Sequence, residues 1–173
     1  MTYSDPIPLL QGTSEPTAPQ AGQVAALCWR LRKGRAQVLL VTSRDTGRWV
    51  LPKGWPMPGL TAEAAAAREA WEEAGVEGKV SSCAIGLYCY DKMVPGATAL
   101  SCAVQVFPLR VQSLRSNFPE RKQRRRKWFA SAEAALVVAE PALATLLEHL
   151  AEAPEALAPN LMSRRTARQT KVG

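Results

Sequence analysis

The chain has 173 residues, 47% of them hydrophobic, which allows one domain with a buried core and leaves little room for two. Its 22 Lys and Arg against 15 Asp and Glu give a formal charge of +7, which favours an anionic partner such as nucleic acid or a phosphorylated small molecule. No apolar run is long enough to cross a membrane and no secretory signal is found, so we expect a cytoplasmic protein with no membrane partner.

Composition divides the chain into three segments. Residues 1–21 are rich in Pro, Ser, Thr and Gln and are expected to be flexible. Residues 22–153 form the predicted domain, and residues 154–173 form a predicted flexible tail that ends in basic residues. A weaker hypothesis gives the basic stretch 163–171 a tethering role on nucleic acid or a membrane. The oligomeric state is left open.

The first half of the domain alternates strands and turns before one clear helix. Strands are predicted at 24–30 and 37–43, with a short extended piece at 48–51. A loop rich in Pro and Gly follows at 52–60. Thr61 is a suitable N-cap and Gly75 a suitable C-terminal stop, so a helix is predicted over 62–74.

The second half of the domain begins with strands and ends with helices. Strands are predicted at 80–90, 99–109 and 127–129, and helices at 132–139 and 141–150. This order predicts an α/β or α+β sandwich in which helices cover a mixed sheet. Without any CxxC pair, the four cysteines are predicted to be buried reduced thiols; they are Cys28, Cys83, Cys89 and Cys102.

Three glutamates share one face of the predicted helix. Glu69, Glu72 and Glu73 lie within roughly 100° of one another at 100° per residue. Ala65 shares this face, while Trp71 falls on the opposite side and is predicted to anchor the helix to the core.

The simplest interpretation of these glutamates is a solvated face, because glutamate favours helices. However, like charges at these spacings destabilise a helix, and no lysine on the helix pairs with them. Two of the three also lie at the helix C-terminal end, where anions are unfavourable. A divalent cation would remove the repulsion, and Mg²⁺ prefers carboxylate oxygens.

The sequence from Gly54 to Val76 resembles the Nudix box. That motif reads Gly, five residues, Glu, seven residues, Arg-Glu, an apolar residue, any residue, Glu-Glu, any residue, Gly and an apolar residue. Gly54 matches its first position, and the stretch REAWEEAGV at 68–76 matches its end in register. Leu60 stands where the motif has its first Glu, which puts the partner of Arg68 in doubt.

The resemblance implies a Nudix-type α/β/α sandwich that cleaves phosphoanhydride bonds with Mg²⁺, or with Mn²⁺ as the alternative. Glu69, Glu72 and Glu73 would be the metal ligands, together with the Gly54 carbonyl. Glu69 could also orient or deprotonate the attacking water. Arg68 would be structural, holding the catalytic loop.

Similarity outside the box points to the diphosphoinositol and diadenosine polyphosphate hydrolase branch. It rests on VLLVTSRDTGRWVLPKG before the box and on RRRKWF after it. The positions implied as phosphate contacts are Arg44, Arg48, Lys53, Arg124 and Arg126. Among them Arg126 is preferred, because alternation places it on the same side as Trp128. Glu120 is either an additional catalytic carboxylate or a surface residue, with equal weight.

Two functions follow from these patterns. The first is a magnesium-dependent hydrolase of a highly phosphorylated small molecule. The second is a non-catalytic Nudix-fold module that binds a nucleotide or RNA through the basic run at 121–127, and Leu60 is the feature in its favour. Nucleic acid is thus the less favoured partner.

Overall fold

Two adjacent apolar strands form the centre of the fold in the computed structural model, which describes residues 19, 21–96 and 98–158. Strand β1 (Ala21–Arg32) pairs antiparallel with strand β2 (Arg35–Thr42) across the turn at Lys33–Gly34. The β1 run 23–29 is buried on both faces, since helices cover both sides of the sheet.

The described residues contribute eight strands to one mixed sheet. The remaining strands are β3 (Trp49–Val50), β4 (Lys53–Gly54), β5 (Val76–Val80), β6 (Gly86–Lys92), β7 (Leu100–Leu114) and β8 (Arg126–Ala130). The central order is β3-β2-β1-β7-β5, with β4 on β1, β6 on β7 and β8 on β2. Strands β1 and β7 run parallel, and every other pair in the described residues is antiparallel.

Three helices cover the sheet and create two hydrophobic cores. Helix α1 (Ala62–Ala74) packs on one face, against the side of β1 that carries Val24 and Ala26. Helices α2 (Ser131–Val137) and α3 (Pro141–Glu152) pack on the other face, where Leu27 lies. The predicted mixed sheet between helices is therefore confirmed.

The strand predicted at 80–90 covers most of β6 but only the last residue of β5, so β5 was largely missed. Strand β5 pairs with the C-terminal half of β7, and β6 pairs with its N-terminal half, so the two lie end to end along one neighbour. The backbone N–H groups of Ser81 and Ile85 still donate to β7 carbonyls across the connection. A single straight strand was predicted because apolar residues continue through residues that form this connection.

The packed region continues past the predicted domain boundary at 153. Residues Pro154–Leu157 form a 3-10 turn, and Leu157 is buried in the core with α3. The predicted flexible segments otherwise lie outside the described residues, apart from Pro19, Ala21 in β1 and Ala158. The basic stretch 163–171 lies entirely outside them.

The cysteine prediction is correct for two of the four thiols. Cys28 and Cys102 are buried, whereas Cys83 and Cys89 are exposed, and all four are free. Cys83 lies in the connection between β5 and β6, and Cys89 points outward from β6. No helix in the part of the chain that the structure describes is both long and apolar enough to span a membrane.

Candidate active site

Helix α1 turns its carboxylates toward the same side as its small core-facing residues. Thr61 Oγ1 accepts a hydrogen bond from the Ala64 N–H at 3.3 Å, and Gly75 ends the helix in the left-handed region with φ 65°. The buried positions are Ala65, Ala66, Ala70, Glu73 and Ala74. Because most of these side chains are single methyl groups, the helix approaches the sheet closely.

The prediction that Trp71 anchors the core face of α1 is wrong. Trp71 is half-buried and packs against neither core of the described residues, whereas Glu73 is only 5% exposed. Two residues apart on a helix, these side chains point about 200° away from each other. Only one of them can face the sheet, and the space beside the alanines is too shallow for an indole.

Glu69 lies directly against the backbone of Gly54. Gly54 is in β4, where it pairs with Val24 of β1. A Cβ placed on Gly54 would lie 2.1 Å from Glu69 Oε1, which is far inside van der Waals contact. Glycine is therefore required at this position for the carboxylate to approach the loop.

Arg124 is the ion-pair partner of the buried carboxylate. Its Nη2 donates to Glu73 Oε1 at 3.1 Å, and its Nε donates to Glu120 Oε2 at 3.1 Å. Its Nη1 donates to the Thr42 carbonyl at 3.0 Å, and the side chain is 9% exposed. Through these bonds Arg124 positions two carboxylates, and its role as a phosphate contact stays a prediction.

Glu120 is brought to the site and is not a surface residue. Its side chain is 17% exposed, and its Oε1 also forms an ion pair with Arg44 Nη1 at 3.2 Å. Its backbone N–H donates to the Glu72 carbonyl at 2.9 Å, which fixes this segment to the end of α1. The segment between β7 and β8 therefore delivers a fourth carboxylate to the three on the helix.

Arg68 does not hold the catalytic loop, contrary to the prediction. Its Nε donates to Glu72 Oε1 at 2.8 Å, one turn further along α1, and its side chain is 58% exposed. Leu60, which replaces the motif's first Glu, is itself 46% exposed. Without a carboxylate at position 60, Arg68 pairs with the helix's own Glu72, which the sequence analysis treated as unpaired.

A cavity of about 580 Å³ opens beside these carboxylates. Its wall includes the predicted site residues Arg44, Arg48, Lys53, Gly54, Glu69, Glu72, Glu73, Glu120 and Arg124. Seven acidic and five basic side chains line it, the others being Asp45, Asp91, Lys92 and Glu140. Although the chain carries a formal charge of +7, the wall of this cavity has an excess of acid.

Three of the basic side chains in the wall were predicted from the sequence. Arg44 and Arg48 are 58% and 46% exposed, so both guanidiniums stay accessible to a ligand beside their less exposed partners Glu120 and Glu140. Lys53 Nζ donates to the Tyr90 hydroxyl at 3.2 Å. These three cations line the cavity, and their role as phosphate contacts stays a prediction.

Arg126 lies outside the cavity. Its guanidinium donates to the Ala74 carbonyl at the end of α1 and lies 4.9 Å from the centre of the Phe118 ring. It does share a side of β8 with Trp128, as alternation predicts, but that side faces the helix end. The structure therefore does not bring this residue, preferred as a phosphate contact, to the site.

Burial and crowding of charge shift the proton affinities of the carboxylates. Burial raises the pKa of Glu73 to about 8, opposed by Arg124 and reinforced by Glu69 and Glu120. Burial also raises the pKa of Glu69, with further contributions from Glu72 and Glu120. In Lys53 burial lowers the pKa, although Glu73 and Glu140 oppose the change.

The chemistry of these residues fits a divalent cation. Glu73 Oε2 is buried without a hydrogen-bond partner in the described residues, and clustered carboxylate oxygens are the donors that Mg²⁺ prefers. In the side-chain positions seen, however, no three His, Cys, Asp or Glu groups of the described residues converge on one point. Arg68 engages Oε1 of Glu72, and Arg124 engages Oε1 of Glu73, so Glu73 Oε2 could take a cation while the ion pair with Arg124 stays in place.

Several cavity residues were not predicted from the sequence. The Tyr90 hydroxyl donates to Gln23 Oε1 at 2.6 Å, and Lys92 Nζ lies 5.0 Å from the centre of the Trp55 ring. Glu140 lines the opposite wall. The lone Gln23 at the start of the apolar strand β1 was the available signal, because a polar residue there needs a partner. The others come from separate elements and carry no motif.

Comparisons with known proteins agree with the geometry. The family profile described as "NUDIX domain" matches residues 22–150. "Diphosphoinositol polyphosphate phosphohydrolase 3-alpha" of Mus musculus is 31% identical over 132 residues, which cover 74% of this chain and 76% of that protein. "Nudix hydrolase 12, mitochondrial" of Arabidopsis thaliana is 34% identical over 103 residues, 58% of this chain and 51% of that protein.

A solved structure shows the same fold. The crystal structure of a C. elegans Ap4A hydrolase binary complex superposes with a TM-score of 0.56, covering 73% of this chain and 92% of that one. Its sequence identity is 21%, so the likeness concerns the fold alone. The chain spans about half the length of the Arabidopsis relative and about three quarters of the mouse relative.

Proposed function

The chain belongs to the Nudix hydrolase family, and from this premise we propose that it hydrolyses a phosphoanhydride bond in a highly phosphorylated small molecule with Mg²⁺, or with Mn²⁺ as the alternative. The candidate substrates are diphosphoinositol polyphosphates and diadenosine or nucleoside polyphosphates. One observation carries the proposal: four carboxylates and Gly54 share a cavity whose wall has more acid than base. A polyanion enters such a cavity only when cations accompany it.

Glu69, Glu72 and Glu73, with the Gly54 carbonyl, would hold the cation. When bound, the cation would neutralise phosphate charge and lower the pKa of a bound water. Glu69 would accept a proton from the attacking water at its carboxylate, since its raised pKa makes it a better base. Glu120, fixed to the end of α1, is the second candidate for this role.

The remaining residues would bind and orient the substrate. Arg44, Arg48 and Lys53 would contact phosphate oxygens, because hydrogen bonds between a cation and phosphate are among the strong ones. Arg124 would keep Glu73 and Glu120 in place through its two ion pairs.

The test is a phosphate-release screen with Mg²⁺ across nucleoside triphosphates, diadenosine polyphosphates, capped RNA and inositol pyrophosphates. We expect turnover of at least one class, and a loss of about 10²-fold or more in Glu73→Gln. Glu63→Gln is the matched control, because Glu63 lies on the first turn of the same helix and outside the cavity wall. Full turnover in Glu73→Gln would refute the mechanism.

A second candidate is a Nudix-fold module that binds without cleavage. It is favoured by a separate basic hollow next to the cavity, lined by Arg44, Arg121, Lys122, Gln123, Arg124 and Arg125 among others. RNA binding there would weaken steeply with salt and would not respond to EDTA. Binding of this kind with no phosphate release on any substrate would favour the module.

A further inference from the structure

Glu140 is a buried carboxylate in the cavity wall that the catalytic scheme does not use. It immediately precedes α3 and is 7% exposed. Its side chain makes no capping hydrogen bond to the helix, although it stands at the N-cap position. Capping of α3 therefore does not account for the burial of this acid. Glu140 lies in the wall of the cavity.

The two oxygens of Glu140 are in different situations. Oε1 contacts Arg48 Nη1 at 3.5 Å, the outer limit of a hydrogen bond, and the arginine is 46% exposed. Oε2 is buried and has no hydrogen-bond partner within the described residues. Buried polar atoms in folded proteins nearly always have partners, and Glu140 lines the cavity, so this carboxylate is a candidate acceptor for a ligand donor.

The chemistry of the oxygen limits what that donor can be. A carboxylate repels phosphate, so Glu140 opposes a ligand that presents phosphate at this wall. It is suited to a neutral hydroxyl or amino group. A nucleoside carries ribose hydroxyls and, in adenine, an exocyclic amino group, whereas a fully phosphorylated inositol ring carries no free hydroxyl.

The same cavity also has apolar lining residues. Trp55, Met57 and Met93 line the same cavity, and Trp55 is 41% exposed. Side chains of this kind pack well on a heterocyclic base. An inositol ring that carries phosphate on every carbon offers them little apolar surface to contact.

We propose that Glu140 is a specificity-determining residue that accepts a hydrogen bond from the nucleoside part of the substrate. It would thereby select nucleoside polyphosphates over inositol pyrophosphates. This inference rests on the proposed hydrolase function and names the substrate class for the same cavity.

The experiment compares kcat/KM of wild type, Glu140→Gln and Glu140→Met on ATP and on a diphosphoinositol pentakisphosphate. Glu140→Met removes both acceptors, and we expect it to lower kcat/KM for ATP about 10- to 100-fold, the usual effect of losing a hydrogen bond to a charged group. Activity on the inositol pyrophosphate should be unchanged or higher. Glu140→Gln keeps one acceptor and should lie between. Glu152→Gln, an exposed acid at the end of α3, is the control.

Two further substrates locate the donor. If the adenine amino group is the donor, inosine triphosphate should be insensitive to Glu140→Met. If the ribose 2′-hydroxyl is the donor, deoxyATP should be insensitive instead.

Other results would overturn the inference. Equal losses on ATP and on the inositol pyrophosphate would mean that Glu140 only supports Arg48 and the fold. A wild type that cleaves only inositol pyrophosphates would also overturn it while leaving the hydrolase function intact.

A chain that cleaves none of these compounds would refute the proposed function instead. Calorimetric titration of ATP in the presence of Ca²⁺ would then decide the inference, since equal affinity in wild type and Glu140→Met would refute it.

Discussion

Glu73 makes stability depend on pH in the metal-free protein. Its pKa is about 8 in the folded chain against 4.5 for an ordinary glutamate, so between these values the folded state binds more protons than the unfolded state. The contribution of this group to stability is therefore fully present below pH 4.5 and is lost as the pH rises through about 8. In EDTA we expect the free energy of unfolding to fall by up to about 1.4 kcal/mol per pH unit from this group.

Urea unfolding of wild type and Glu73→Gln over that pH range measures the effect. The variant has no proton to lose at residue 73, so its stability should vary less with pH. Glu63→Gln should follow the wild type. A pH slope that Glu73→Gln leaves unaltered would contradict the assignment.

Arg124 is expected to be the most important single side chain for the stability of the site. Arg124→Met leaves Glu73 and Glu120 without their buried cation, and breaking such a pair from one side costs about 3–5 kcal/mol. The loss should be largest above about pH 8, where Glu73 is ionised in the folded state, and smaller at lower pH. Arg121→Met, an exposed neighbour in the same segment, should change stability by less than about 0.5 kcal/mol. Similar losses in the two variants would argue against the role given to Arg124.

The sequence predicted which residues form the site better than it predicted how they face. Glu69, Glu72 and Glu73 were found by motif and spacing. Glu73 was nevertheless expected to face away from the core and Trp71 toward it, because charged side chains are usually exposed and tryptophans are usually buried. The structure shows the reverse. Its burial depends on Arg124, 51 residues later, and no local pattern contains that contact.

At the level of elements, the contact between β4 and α1 is expected to control catalysis. Gly54→Ala places a methyl group where Glu69 now lies, so the carboxylate must move. We expect kcat/KM to fall about 10²-fold, since a shift of about 1 Å in a catalytic group has an effect of that size. Gly22→Ala in β1 is the control, because its Cβ would meet nothing within 4 Å. Unaltered activity in Gly54→Ala would show that Glu69 does not need its present position.

Elements with strong end signals were predicted well, and elements defined by their neighbours were not. Helix α1 has the predicted bounds because Thr61 and Gly75 mark both ends chemically. Strand β5 was missed apart from Val80, and its place end to end with β6 reflects their shared partner β7. Pairing along a neighbour is a tertiary property that hydrophobic alternation does not contain.

For the whole molecule, the distribution of charge is more informative than its sum. The chain is basic, yet the cavity has seven acidic and five basic side chains. We therefore expect ATP to bind at least about tenfold more tightly in Ca²⁺ than in EDTA, measured by calorimetry at fixed ionic strength. Equal affinities in the two conditions would favour the binding module, with its site in the basic hollow.

Strand β7 imposes an order on assembly during synthesis. It pairs with β1, β5 and β6, and its partners in β1 precede it by about eighty residues, a long loop to close. Helix α1 leaves the ribosome well before β7, and Arg124 follows later still. A nascent chain that ends before residue 124 therefore carries Glu73 on the inner face of its helix without the cation that it needs there. The residues of the motif are synthesised first, and the arginine that pairs with the buried Glu73 is synthesised about fifty residues later.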